Sequence, residues 1–125
     1  MLKEYITFMI LLLLIDSLWI MGASKLHTSV VQKVQKSPLK VNYIPAFLFY
    51  IIASLGFVLI IQKLSHSVKE AFQYGLILGL LMYGTFDLTN KAIFVDYPWW
   101  YTMADMTWGT LVVGIVSALT YKITV

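Results

Sequence analysis

The sequence predicts an all-α membrane protein: a bundle of four transmembrane helices with a short amphipathic helix in the first loop. Three observations predict it. Hydrophobic residues make up 60% of the 125-residue chain and charged residues only 12%, against about 25% charged in soluble domains. The apolar residues fall into four runs, each long enough to cross about 30 Å of hydrocarbon, which takes about 20 helical residues. Backbone groups in lipid must be satisfied within the segment, and no alternating strand pattern is present, so the runs are helices. Residues 1–125 have room for one domain of this kind.

The first span covers approximately residues 5–23. Its charged start, leucine-rich centre and closing Gly22-Ala23-Ser24 share features with a signal peptide. Asp16 and Trp19 inside the apolar run argue for a retained span. The first loop, residues 24–42, carries Lys25, Lys33, Lys36 and Lys40. Leu26, Val30 and Val34 recur there at helical spacing, which fits a basic amphipathic helix on the membrane surface, ended by Ser37-Pro38. A solvated lysine-rich loop is the alternative. The second span covers residues 43–61, the third 71–94 and the fourth 100–121. Between them lie a polar loop, residues 62–70, and a tight turn, residues 95–99, with Asp96 and Pro98. Orientation is balanced: Lys3, Lys63, Lys69 and Lys122 face one side, and the four loop lysines with Lys91 face the other. The concentration of lysines in the first loop inclines that loop towards the cytoplasm.

Composition also excludes. There is no cysteine, so disulfides, iron–sulfur clusters and thiol chemistry are absent. The net charge of +3 comes from lysines that flank apolar spans. Their natural counterparts are lipid headgroups rather than nucleic acid. His27 and His66 fall in loops, which leaves no histidine in a span to hold haem or a metal. The aspartates and Asn90 are oxygen ligands of the kind magnesium and calcium prefer, but no dedicated metal spacing accompanies them. No phosphate loop, nucleophile elbow or HExxH motif is present. No cofactor is expected.

Three aspartates interrupt the spans: Asp16, Asp87 and Asp105. Each costs on the order of 3 kcal/mol in hydrocarbon even on lenient insertion scales. At 1.5 Å per residue, Asp16 and Asp87 lie about 10 Å and Asp105 about 8 Å from the span ends they share, so all three reach one level. Asp16-Ser-Leu-Trp19 and Asp105-Met-Thr-Trp108 are both D-x-x-W, a spacing that puts acid and indole on one helical face. Asp87 has Tyr83 four residues before it, Asn90 three after and Lys91 four after, the favourable order for an ion pair. Tyr50 falls near the same depth. The expected pocket is one-sided and lined by Asp16, Trp19, Tyr50, Tyr83, Asp87, Asn90, Asp105 and Trp108. Tyr97, Trp99, Trp100 and Tyr101 form an interfacial belt above it. Close acids in a low dielectric cannot all ionise, so such a cluster holds at least one proton near neutrality.

Three functions follow from such a pocket. It binds or transports a proton, cation or small molecule; it is the site of an intramembrane enzyme acting on a lipid or isoprenoid; or the acids only tie helices together in a membrane scaffold. No polar route crosses the far halves of the spans, so a through-pore would need a homo-oligomer. Gly75-x-x-x-Gly79 allows close helix contact.

The blocks Tyr83-Gly-Thr-Phe-Asp-Leu-Thr-Asn90 and Asp105-Met-Thr-Trp-Gly-Thr110, with Asp16-x-x-Trp19 and Phe49-Tyr50, resemble a family of small predicted membrane proteins, the domain of unknown function 2177. The resemblance runs over nearly the whole chain. It implies a four-span membrane protein and no particular reaction. Its motif falls on Asp16, Trp19, Tyr50, Tyr83, Gly84, Asp87, Thr89, Asn90, Asp105, Trp108 and Gly109.

Overall fold

A computed structural model describes all residues, 1–125, as five helices and no strand. Helix α1 spans Leu2–Gly22. Helix α2 spans Ser24–Gln35. Helix α3 spans Tyr43–Leu64, with a π-helical turn at Phe57–Ile61. Helix α4 spans Val68–Ile93, and α5 spans Trp99–Thr124.

Local chemistry sets the ends. Asn42 accepts a hydrogen bond from the Ile44 amide and starts α3. Ser67 accepts from the Glu70 amide at the start of α4, while Glu70 accepts in turn from the His66 amide, a variant of the capping box. Lys36 ends α2 in the left-handed conformation at φ 61°. The amphipathic helix is thus present, but Lys36 stops it before Ser37-Pro38. Its inner face also differs from expectation: Leu26 is exposed, whereas Val30 is buried and Val31 and Val34 line a cavity with it.

Three helices, α1, α3 and α5, are long and apolar enough to cross a membrane. Helix α4 overlaps the expected third span and has the length, 26 residues, but it falls short of the other three in apolar character. Its end residues Lys69, Glu70, Asn90 and Lys91, together with Asp87, make it the least apolar of the four.

Helix α5 is the axis of the fold. It packs most extensively on α4, then on α1, which also meets α3. Helix α1 buries a stripe of Glu4, Phe8, Leu12 and Asp16, four residues apart, flanked by the partly buried Tyr5, Met9, Leu11, Leu13 and Ile15. Helix α4 buries Ala71, Gly75, Gly79, Gly84 and Asp87, a small-residue stripe that admits close approach. A Cβ on Gly79 would come within 2.5 Å of the Gly109 carbonyl oxygen, and one on Gly75 within 2.8 Å of the Gly114 Cα. The two backbones are in contact there.

Candidate functional site

A half-open cavity of about 490 Å³ lies at the end of the bundle beneath α2, and every helix contributes to its wall. Asp16 and Trp19 come from α1, His27 from α2, Phe49 and Tyr50 from α3, Met82, Tyr83 and Phe86 from α4, and Tyr101 and Asp105 from α5. The wall is mainly apolar, with polar atoms at a few points.

The two D-x-x-W motifs meet in a crossed arrangement. The Trp19 indole N–H donates to Asp105 at 3.0 Å, and the Trp108 indole N–H donates to Asp16 at 2.8 Å. The indoles stack at 5.6 Å between centroids and 19° between planes. Each acid is therefore bonded by the tryptophan of the other helix. The physical reason is direction: these bonds require α1 and α5 to run antiparallel, which brings the acid of each motif level with the indole of the other. The Tyr50 hydroxyl donates to the second Asp16 oxygen at 2.5 Å, so Asp16 joins α1, α3 and α5.

Asp87 is fully buried. It accepts a hydrogen bond from Tyr97 at 2.5 Å on Oδ1, while its Oδ2 has no donor. The Asp105 carboxyl lies within hydrogen-bonding reach of Asp87. Burial, and then the bond to Asp87, push the Tyr97 phenol above its ordinary range, so Tyr97 remains a donor. Asp87 makes no ion pair with Lys91, contrary to the sequence expectation. Lys91 instead lies over the Trp99 ring, 5.5 Å from its centroid, because the buried face of α4 carries Asp87 inward and leaves Lys91 at the rim.

Of the eight expected residues, Asp16, Trp19, Tyr50, Tyr83 and Asp105 line the cavity. Trp108 supports it by stacking on Trp19. Asp87 sits behind the wall. Asn90 lines a separate cavity of about 280 Å³ between α2 and α4, with Val30, Val34 and Phe86 among its neighbours. Two residues assigned to the interfacial belt belong to the interior: Tyr97 is buried and Tyr101 lines both cavities.

His27 is the residue that sequence reasoning missed. It lies in α2, not in a loop, and turns into the cavity. Its Nε2 is 3.2 Å from the Trp19 carbonyl oxygen and its Nδ1 is 2.5 Å from the Tyr101 hydroxyl. A carbonyl only accepts, so Nε2 donates; a neutral ring then accepts at Nδ1 from Tyr101. The signal was available: 27, 30, 31 and 34 fall on one helical face, i, i+3, i+4 and i+7.

The fold defines a helical integral membrane protein with an acidic–aromatic cavity closed on one side by a short amphipathic helix. Residues 1–122 match the family described as a predicted membrane protein, DUF2177, and the chain belongs to that family. No curated protein matches the chain, and no solved structure does.

Proposed function

We propose that the protein crosses the membrane with four helices and binds a small cationic amphiphile in the cavity beneath α2. The observation that supports this is the cavity itself. Its volume of about 490 Å³ falls in the usual range for ligand sites, about 300–1,000 Å³. Its wall offers aromatic faces suited to a cation and carboxyl groups on one side. The smaller cavity shares Phe86 and Tyr101 with it, so room for an alkyl chain continues between α2 and α4. Acids inside spans commonly mark ligand or ion pathways.

The cavity is blind. Below it Phe8, Leu12, Phe57, Val112 and Val113 are fully or almost fully buried and form an apolar layer ahead of the buried Ser117 and Thr120. Binding therefore fits better than a channel. A scaffold role has one observation in its favour: the Asp16 carboxyl already ties three helices through Tyr50 and Trp108. Catalysis on a lipid or isoprenoid has no comparable observation.

Tryptophan fluorescence tests the binding reading, because Trp19 lines the cavity. The purified protein in lipid nanodiscs is titrated with dodecyltrimethylammonium, dodecanol and dodecanoate. The cation is expected to give a saturable change with the highest affinity, at least tenfold weaker in Asp105→Asn. Equal responses to all three probes would leave only apolar partition. A scaffold predicts no saturable response and loss of folding alone in Asp16→Asn. Proton, potassium and sodium gradients across liposomes test the blind pocket: flux that vanishes in folded Asp87→Asn would replace it with a channel. The absence of native cysteine makes topology simple to read. Four spans place His66→Cys on the opposite side from Lys40→Cys and Val95→Cys.

A further inference from the structure

We propose that Asp87 and Asp105 hold one proton between them and release it when a cation enters the cavity, so that binding exchanges one proton for one cation. This rests on the binding reading above and adds its stoichiometry.

A count of donors carries the inference. Asp16 has a donor on each oxygen, Trp108 on Oδ1 and Tyr50 on Oδ2. Asp105 has Trp19 on Oδ1. Asp87 has Tyr97 on Oδ1 and nothing on Oδ2, although the residue is fully buried. The group within reach of Asp87 that remains is the Asp105 carboxyl. Ionised carboxylates only accept hydrogen bonds. The two can bond to each other only when one is the acid, and an unbonded buried carboxylate oxygen is costly.

The surrounding groups do not supply another answer. Asp16 faces the cluster from α1, Tyr50 from α3, Tyr83 from α4, and Tyr101 from α5. Asn90 lies beside Tyr97, and His27 on α2 is bonded to Tyr101. Lys91, the lysine nearest in sequence, lies over Trp99, and Lys36 at the end of α2 pairs with Asp96. Neither carboxyl forms an ion pair, and a shared proton removes one of their two negative charges.

The positions of the two acids give the exchange its direction. Asp105 lines the cavity and Asp87 does not. A cationic head therefore meets Asp105 first. The carboxyl O–H bond breaks, the proton passes to water, and the cation settles against Asp105, with the Asp87 carboxylate behind the wall. One positive charge enters as one leaves, so the net charge of the site is constant. Tyr97 and Tyr101 are in edge contact at 5.6 Å, and Tyr101 is bonded to His27.

Isothermal titration of the full protein in nanodiscs with dodecyltrimethylammonium reads the stoichiometry, since this probe has no proton of its own. Titrations in two buffers of different ionisation heat give the protons released per cation bound. One is expected at neutral pH, with affinity falling about tenfold for each unit of acidification. In Asp87→Asn the amide supplies the missing donor, so binding without proton release is expected. Infrared spectroscopy gives a second reading on the unmodified chain: a protonated-carboxyl band present before the probe is added and lost on saturation. Binding with no proton release and no change in that band overturns the exchange and leaves the binding site standing. No binding of the probe overturns both. If Asp87→Asn does not fold, as circular dichroism will show, the calorimetric and infrared results on the native chain decide alone.

Discussion

The two ends of this bundle are built on opposite principles. At the end beneath α2, acids, indoles and phenols from four helices hydrogen-bond across the interior and hold a cavity open. At the other end Phe8 stacks on Phe57 at 4.9 Å, Leu12, Ile61, Val113 and Val116 fill the centre with no exposure, and α4 touches α5 through glycines. Helices in lipid gain nothing from burying apolar surface against each other, because lipid tails are as apolar as leucine. They associate by close packing or by polar contacts, and this protein uses one at each end. Gly109 marks the border: a Cβ there would overlap the Tyr83 ring, so its absence lets Tyr83 lie on α5 and still form cavity wall. The closed end fixes the helices, and the polar end is then free to keep an open space.

The largest effect is expected where the closed end is tightest. Gly79→Val drives a branched side chain into the Gly109 carbonyl, against backbone that cannot yield. A loss of about 3 kcal/mol or more is expected, the upper end for overpacking, read as a lower midpoint in detergent unfolding. A variant as stable as the parent would break the claim that this seam sets the helices.

The crossed pairs come next. Trp108→Phe keeps the ring and removes the donor to Asp16, and Trp19→Phe does the same for Asp105. Each is expected to cost about 1–2 kcal/mol, since a buried carboxyl oxygen loses its partner. The sharper test is a double-mutant cycle. Trp108→Phe should couple to Asp16→Asn by more than about 0.5 kcal/mol and more weakly to Asp105→Asn, which it meets only through Trp19. Coupling within the same helix instead would refute the crossed arrangement.

Ser117 offers a smaller effect of the opposite sign. Its hydroxyl is buried without a partner at the closed end, near the space left by Gly75. Ser117→Ala removes that polar group at nearly constant shape and is expected to stabilise by up to about 1 kcal/mol. Ligand binding at the far end should be unchanged. Destabilisation would mean that the hydroxyl has a partner.

The smallest effect belongs to the exposed pair of Lys36 and Asp96, 3.1 Å apart, which joins the end of α2 to the turn before α5. Exposed pairs contribute about 0.2–1 kcal/mol and weaken with salt. Lys36→Ala should therefore cost about 0.5 kcal/mol and remove part of the salt dependence of stability. A loss several times larger would show that α2 is held mainly by this contact rather than by His27, Val30 and Val34.

The sequence alone determined the helices and the level of the site. Hydropathy sets helical spans because lipid offers the backbone no partner outside its own segment, and a fixed rise per residue then places Asp16, Asp87 and Asp105 together. It also determined the types of residue that would gather there: five of the eight expected side chains line the cavity, and Trp108 backs it. What only the tertiary structure decided was partner choice. That Trp19 serves Asp105 rather than Asp16, that Asp87 turns to Tyr97 rather than to Lys91, and that His27 enters the cavity depend on the direction and rotation of each helix against its neighbours. Rotation is set by which small residues allow contact, Gly75 and Gly79 against Gly109 and Gly114. Spacing along one helix shows which residues share a face, and only packing between helices shows what that face meets.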